Sequence, residues 1–300
     1  MIFGVICGFA AALCNSAGYL FSAGFLNRYR DPIRLLVMAQ LVMMLVCLPF
    51  LFWLFPFAAM KSPGVFWLRT FLNSALFMLG QGAFFAALRH FEASRISSLL
   101  GLKIIVLSVI FLLSGGRLNA LQLTAVPLAS LAAVMFNWSG GGRSSLRGWA
   151  LLTVTLVCYS LVDMQETALV MQVHEEAGFS RMRSALAVVP ALYTMLGLWS
   201  VPALFHWRPD RKQLACIAPY SLLWLVSQIL LLNCFAQVKP VFGNVILAMR
   251  GIFSVVIGAM LPLFGLAALD SDIPLSRWIQ RVLAALLMLG AITLYSFGSL

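Results

Sequence analysis

The sequence predicts an all-α integral membrane protein with about ten transmembrane helices, arranged as two inverted five-helix repeats. Three observations carry that prediction: a large apolar excess, a regular alternation of apolar runs with short polar loops, and polar residues that recur at one spacing in both halves. Of 300 residues, 62% are hydrophobic and 10% charged, and the mean hydropathy is +0.99. Soluble domains are typically about 45–50% apolar and about 25% charged. So few charges cannot cover so much apolar surface in water, and the solvent for most of the chain must be lipid.

A helix needs about 20 apolar residues to cross the hydrocarbon core. Charged and Pro/Gly punctuation divides the chain into ten runs, at about 2–26, 33–57, 64–89, 95–114, 118–138, 148–172, 184–206, 213–236, 241–264 and 278–298. They are called segments 1 to 10. The first run is too long for a signal-peptide core and has no basic stretch before it, so it reads as a retained first helix. Bulky Leu13 before Cys14 argues against a lipoprotein box. The longest connections are 139–147, the acidic turn at His174-Glu175-Glu176, and Gly265 to Arg277.

The Gly/Ser loop at 139–147 separates an N-terminal repeat (1–138) from a C-terminal repeat (148–300). Five helices per half forces homologous halves to insert with opposite orientation. Gln81 and Gln228 are 147 residues apart, as are Lys103 and Arg250, so both pairs share one gap-free register. Segments 1 and 6 align at an offset of 144, which matches Cys14 to Cys158 and Ser16 to Ser160.

The net charge of +11 carries no implication of nucleic acid, because Lys and Arg lie singly or in pairs between apolar runs. Such charges hold loops at the anionic cytoplasmic face. Twelve Lys/Arg fall in odd-numbered loops and six in even ones, which favours odd loops inside and both termini outside. Six cysteines lie in apolar runs without CxxC spacing, as free thiols and not a metal site. Trp53, Trp67, Trp138, Trp149, Trp199, Trp207 and Trp278 fall near helix ends, as interfacial anchors.

Four ionisable residues lie well inside a run: Lys103, Asp163, Glu166 and Arg250. Each costs about 2.5–3.5 kcal/mol at the bilayer centre, so they must face one another or a water-filled cavity. Lys103 and Arg250, about halfway along pseudo-equivalent segments, suit an anionic group: Arg grips it bidentately and Lys adds a point charge. The alternative is internal pairing with Asp163 and Glu166. Those two carboxylates share a face of segment 6 with Tyr159, Ser160 and Thr167, and their repulsion would suit proton coupling. Alternatively Glu166 is near the membrane exit and solvated.

Gln81 and Gln228 must line the cavity or bond across helices, since an unpaired amide in lipid costs several kcal/mol. Asn244, Tyr19, Asn15, Ser16, Gln40, Tyr193 and the interior Trp224 are further lining candidates. No GxSxG, HExxH, GxxxxGK or DDxxD pattern occurs, so no enzyme, cofactor or metal is expected and transport would run on gradients.

Several local patterns resemble the drug/metabolite transporter superfamily, the EamA-like group in particular. The junction Ala86-Ala87-Leu88-Arg89-His90-Phe91-Glu92-Ala93-Ser94 is similar to that family's passage from helix 3 to helix 4. Asn233-Cys234-Phe235-Ala236-Gln237-Val238-Lys239-Pro240 repeats it, and Ala284-Ala285-Leu286-Leu287-Met288-Leu289-Gly290-Ala291 resembles the closing helix. Segment 4 departs from the pattern in having no mid-helix proline. Gly243-Asn244-Val245 resembles the motif of the sugar-phosphate and nucleotide-sugar branch, which implies a phosphate-binding role for Lys103 and Arg250. The resemblance also implies termini inside, against the charge bias.

These readings converge on a secondary active transporter of a small organic anion, a phosphorylated or carboxylated metabolite, working by alternating access around Lys103 and Arg250. The alternatives are an exporter of amino acids or drugs, or a lipid flippase. The expected setting is a multi-pass protein of a bacterial inner (plasma) membrane, as a monomer or homodimer.

Overall fold

The structure is a computed structural model that describes residues 2–87, 90, 99–136, 146–206, 210–260 and 275–298. Among these residues it is all-helical. The α-helices are α1 (Ile2–Tyr29), α2 (Pro32–Leu54), α3 (Pro63–Ala87), α4 (Lys103–Leu113), α5 (Ala120–Phe136), α6 (Leu146–Ala177), α7 (Arg181–Ser200), α8 (Arg211–Val238), α9 (Pro240–Leu247), α10 (Arg250–Met260) and α11 (Leu275–Phe297). Six of them, α1, α2, α3, α6, α7 with its 3₁₀ extension, and α8, are long and apolar enough to cross a membrane. Four shorter apolar helices lie at 100–113, 120–135, 240–253 and 282–297. A multi-pass membrane protein follows from this. The linker at 139–145, most of the segment 3–4 junction, Trp138, Trp207, and the side chains of Arg277, Trp278 and Arg281 lie outside the described residues.

Local sequence explains the turns between helices. Asp31 caps α2, its carboxylate accepting from the amides of Ile33 and Arg34 at 3.1 and 3.0 Å, with Pro32 in the first turn. Ser180 caps α7 and Asp210 caps α8 in the same way. Lys239 ends α8 with φ of 68° immediately before Pro240, whose ring bars the preceding residue from helix. Pro49, Pro127, Pro190 and Pro219 nevertheless lie inside helices, which neighbouring side chains and local adjustment make tolerable in membranes.

The chain forms two compact units. Unit 1 comprises residues 1–78 and 162–239, and unit 2 comprises 79–161 and 240–300. Each draws on both halves of the sequence. In unit 1, α1 packs along α8 and α2 along α7. The core runs from Phe25 through Met38, Met43 and Phe66 to Leu169, Leu192 and Ile217. Gly197 brings α7 against Met44 so closely that any β-carbon would collide with that side chain. This close approach is how helices gain packing energy where lipid supplies no hydrophobic drive.

The direction of α2 against α7 follows from a polar network at one end of unit 1. The Glu176 carboxylate, at the end of α6, accepts from the amides of Lys61 at 2.8 Å and Ser62 at 3.1 Å, and from the Ser62 hydroxyl. Gln172 donates to Ser62 Oγ and Glu176 Oε1 at 3.1 and 3.0 Å, and Arg69 donates to Gln172 at 3.3 Å. A carboxylate thus sits on the positive end of α3. The loop leaving α2 and the loop entering α7 share this end, so α2 and α7 run antiparallel.

In unit 2, α5 packs along α11. Asn119, just before α5, donates to the carbonyl of Gly298 after α11, while Gln280 near the start of α11 donates to Met135 near the end of α5. This pair is antiparallel too. Glu176→Ala should lower the melting temperature of detergent-purified protein by about 2–4 °C, whereas the same change at exposed Glu175 should leave it unchanged. Equal effects would mean that the network contributes nothing.

Candidate functional site

In unit 2 the described backbone of segments 4 and 9 is not regular α-helix throughout. A 3₁₀ turn at Leu100–Leu102 precedes α4, which begins at Lys103. In segment 9, Met249 bonds back to Ile246, Gly251 to Ala248 and Ile252 to Met249, all with i→i−3 spacing, and α10 begins at Arg250. Each cation is therefore the first residue of a helix that follows a 3₁₀ turn, and not a residue halfway along a regular one. Tighter winding re-aims the side chains around it.

Lys103 Nζ lies 5.9 Å from the centroid of the Tyr159 ring. A cation–π contact contributes about 0.5–2 kcal/mol, less than the about 2.5–3.5 kcal/mol that an ammonium costs at the bilayer centre. The remainder must come from anionic or hydrated neighbours. Tyr159 is itself set by Gly80 of α3. A β-carbon on Gly80 would lie 2.9 Å from Tyr159 Cε1 and 3.0 Å from Cys158 Cβ, and Thr155 Oγ1 donates to the Gly80 carbonyl at 3.4 Å. Gln81 is the next residue and is half-buried. Asn244 lies on the wholly buried α9, its amide donating to the Pro240 carbonyl at 2.9 Å. Arg250 is half-buried.

The remaining predicted residues are in unit 1. Asp163 and Glu166 of α6 are 6% and 7% exposed, so Glu166 does not occupy a solvated membrane exit. Thr167 spends its hydroxyl on the Asp163 carbonyl at 2.8 Å. Gln228 of α8 is buried. Trp224 donates from its indole nitrogen to the Tyr193 hydroxyl at 2.6 Å. Its ring stands edge-on to Tyr19 at 6.3 Å and tilted against Tyr220 at 5.7 Å. Tyr19 is exposed, Trp224 and Tyr220 are half-buried, and Tyr193 is buried. Of the other lining candidates, Ser16 bonds back to the Ala12 carbonyl at 2.8 Å and Asn15 donates to Ser227 at 3.5 Å. Gln40 Oε1 is buried without a hydrogen-bond partner among the described residues.

Lys103 and Tyr159 thus meet in unit 2, and Tyr19 and Trp224 meet in unit 1. Gly80 and Tyr220 escape sequence reasoning: a glycine's role depends on what lies opposite, and a tyrosine inside an apolar run carries no spacing signal. Among the described residues no group of His, Cys, Asp and Glu is arranged to hold a metal.

Gly80→Ala should lower thermal stability by driving a methyl into Tyr159. In a double-mutant cycle Tyr159→Ala should recover part of that loss, leaving the remainder to Cys158; strict additivity would mean that the two residues do not touch.

No family model matches the sequence, and no curated protein matches it. Among solved structures, a crystallised protein aligns over 97% of this chain and 95% of its own, with a TM-score of 0.65 and 13% identity. At that identity the likeness is one of fold, and it extends over almost the whole chain.

Proposed function

We propose that the protein is a secondary active transporter of a small organic anion, a phosphorylated or carboxylated metabolite, moved by alternating access around Lys103 and Arg250. The observation that carries this reading is the position of both cations. Each starts a helix after a 3₁₀ turn inside an apolar segment of unit 2, and the two are 147 residues apart. Interrupted membrane helices with charge at the break are how transporters build ion and substrate sites near the midplane. An ammonium and a guanidinium bring an anion two formal charges, and the guanidinium adds a bidentate grip.

The helix pairings support the inverted repeat that alternating access needs. A two-fold axis in the membrane plane exchanges segments 1 with 6, 2 with 7, and so on to 5 with 10. Helices beside such an axis pair with their own counterparts, and antiparallel. Within unit 1, α2 lies antiparallel to α7. Within unit 2, α5 lies antiparallel to α11, which is segment 10. In this reading the buried Asp163 and Glu166 of unit 1 are the coupling carboxylates, with Gln228 a polar lining residue of unit 1 and Gln81 and Asn244 polar lining residues of unit 2.

Proteoliposomes containing the purified protein should accumulate labelled phosphate esters or carboxylates when given a gradient. Lys103→Ala and Arg250→Ala should each cut uptake about 10- to 100-fold, the loss expected from removing a hydrogen-bonded charge. Unchanged transport of every anion by both variants would remove the anion site.

A further inference from the structure

We propose that unit 1 contains a binding site for a primary ammonium group, formed by the Glu166 carboxylate, the rings of Tyr19, Tyr193 and Trp224, and the acceptor oxygens of Asn73 and Thr194. The site rests on unit 1 alone and goes beyond the anion reading, which places its charges in unit 2.

The aromatic residues are in the wrong place for membrane anchors. Trp and Tyr ordinarily gather at the two interfaces, yet Tyr19, Tyr193 and Trp224 lie mid-helix in α1, α7 and α8. They form a graded series, from exposed Tyr19 through half-buried Trp224 to Tyr193 at 3% exposure. The Glu166 carboxylate lies within Coulombic reach of the Tyr193 phenol. Ring faces lower the cost of stripping water from a cation, so such a series leads a positively charged group from the surface of unit 1 to a buried negative one.

Two unpartnered polar groups point to the kind of cation. Asn73 is 1% exposed and neither of its amide atoms has a hydrogen-bond partner among the described residues. The Ser62–Glu176 and Arg69–Gln172 bonds set the register of α3 against α6. Counted along both helices, that register carries Asn73 to the level of Gln165–Ala168, the turn that holds Glu166. Thr194, 8% exposed and next to Tyr193, also leaves its hydroxyl unpartnered. A buried amide or hydroxyl without a partner costs about 1–3 kcal/mol, a cost that binding can reverse. A primary ammonium has three N–H donors, and α3, α6 and α7 each bring one acceptor to this depth: Asn73 Oδ1, Glu166 and Thr194 Oγ1. A quaternary ammonium has no donor and would leave Asn73 and Thr194 unsatisfied.

The test is thermal unfolding of the detergent-purified full chain with 2-phenylethylammonium, against its neutral isostere 2-phenylethanol. The ammonium should raise the melting temperature in a concentration-dependent way, and the alcohol should not. Glu166→Gln should abolish the shift. Asn73→Leu separates binding from folding: replacing an unsatisfied amide should leave the unliganded protein as stable or more so, while ammonium affinity falls about tenfold or more. Equal shifts with the alcohol, or full affinity in Asn73→Leu, would overturn the proposal. Ammonium binding that survives alongside intact anion transport in Lys103→Ala and Arg250→Ala would keep this site and discard the anion reading.

Discussion

Hydrocarbon offers no hydrogen bonds, and every polar group in this chain is placed under that constraint. An unsatisfied backbone group in the bilayer core costs several kcal/mol, which is why the described apolar segments are helical. The same constraint governs the small hydroxyls. Ser16, Thr70, Ser74, Ser108, Ser160, Thr167 and Thr293 each turn back to a carbonyl four residues earlier on their own helix. Ser227 instead reaches the Ala11 carbonyl of α1 at 2.9 Å, and Ser221 reaches Ala39 of α2 as well as its own helix. Those cross-helix bonds lie where α8 packs against α1 and α2, so they join helices that lipid gives no reason to associate.

Against that background, departures from satisfied polarity stand out as sites of work. The 3₁₀ turns before Lys103 and Arg250 exchange some helix hydrogen-bond quality for a cation at a helix start. Asp163 and Glu166 bury their carboxylates inside unit 1, and there the Asn73 amide and the Thr194 hydroxyl have no hydrogen-bond partner among the described residues. A protein selected for stability alone would have apolar residues at these positions. The two units therefore differ in character: unit 2 concentrates positive charge at interrupted helices, and unit 1 concentrates carboxylate, aromatic and acceptor groups.

Much of the fold was legible because hydropathy directly measures the cost of leaving a segment in water or in lipid. Hydropathy places segment 2 at 33–57, and α2 spans 32–54; it places segment 3 at 64–89, and α3 spans 63–87. It ends segment 6 at 172, but α6 runs on to Ala177. Its last turns are polar because Gln172 and Glu176 bond to Ser62, a partner 110 residues or more away in the chain. The breaks in segments 4 and 9 were invisible for a related reason: an i→i−3 turn built from Leu, Gly, Ala and Met has the same hydropathy as the helix it interrupts.

By itself, then, the sequence determined that the chain carries apolar helices long enough to cross a membrane, and roughly where they lie. It also singled out Lys103, Asp163, Glu166 and Arg250, since solvation energy depends on residue type and local run length. Tertiary structure alone decided what those residues meet. It put Tyr159 beneath Lys103 through the space left by Gly80, joined Trp224 to Tyr193, and ran α2 antiparallel to α7. The physical reason is that direction, close approach and hydrogen-bond partnership are properties of pairs distant in the chain. Hydrophobicity is a property of single residues and carries no record of them.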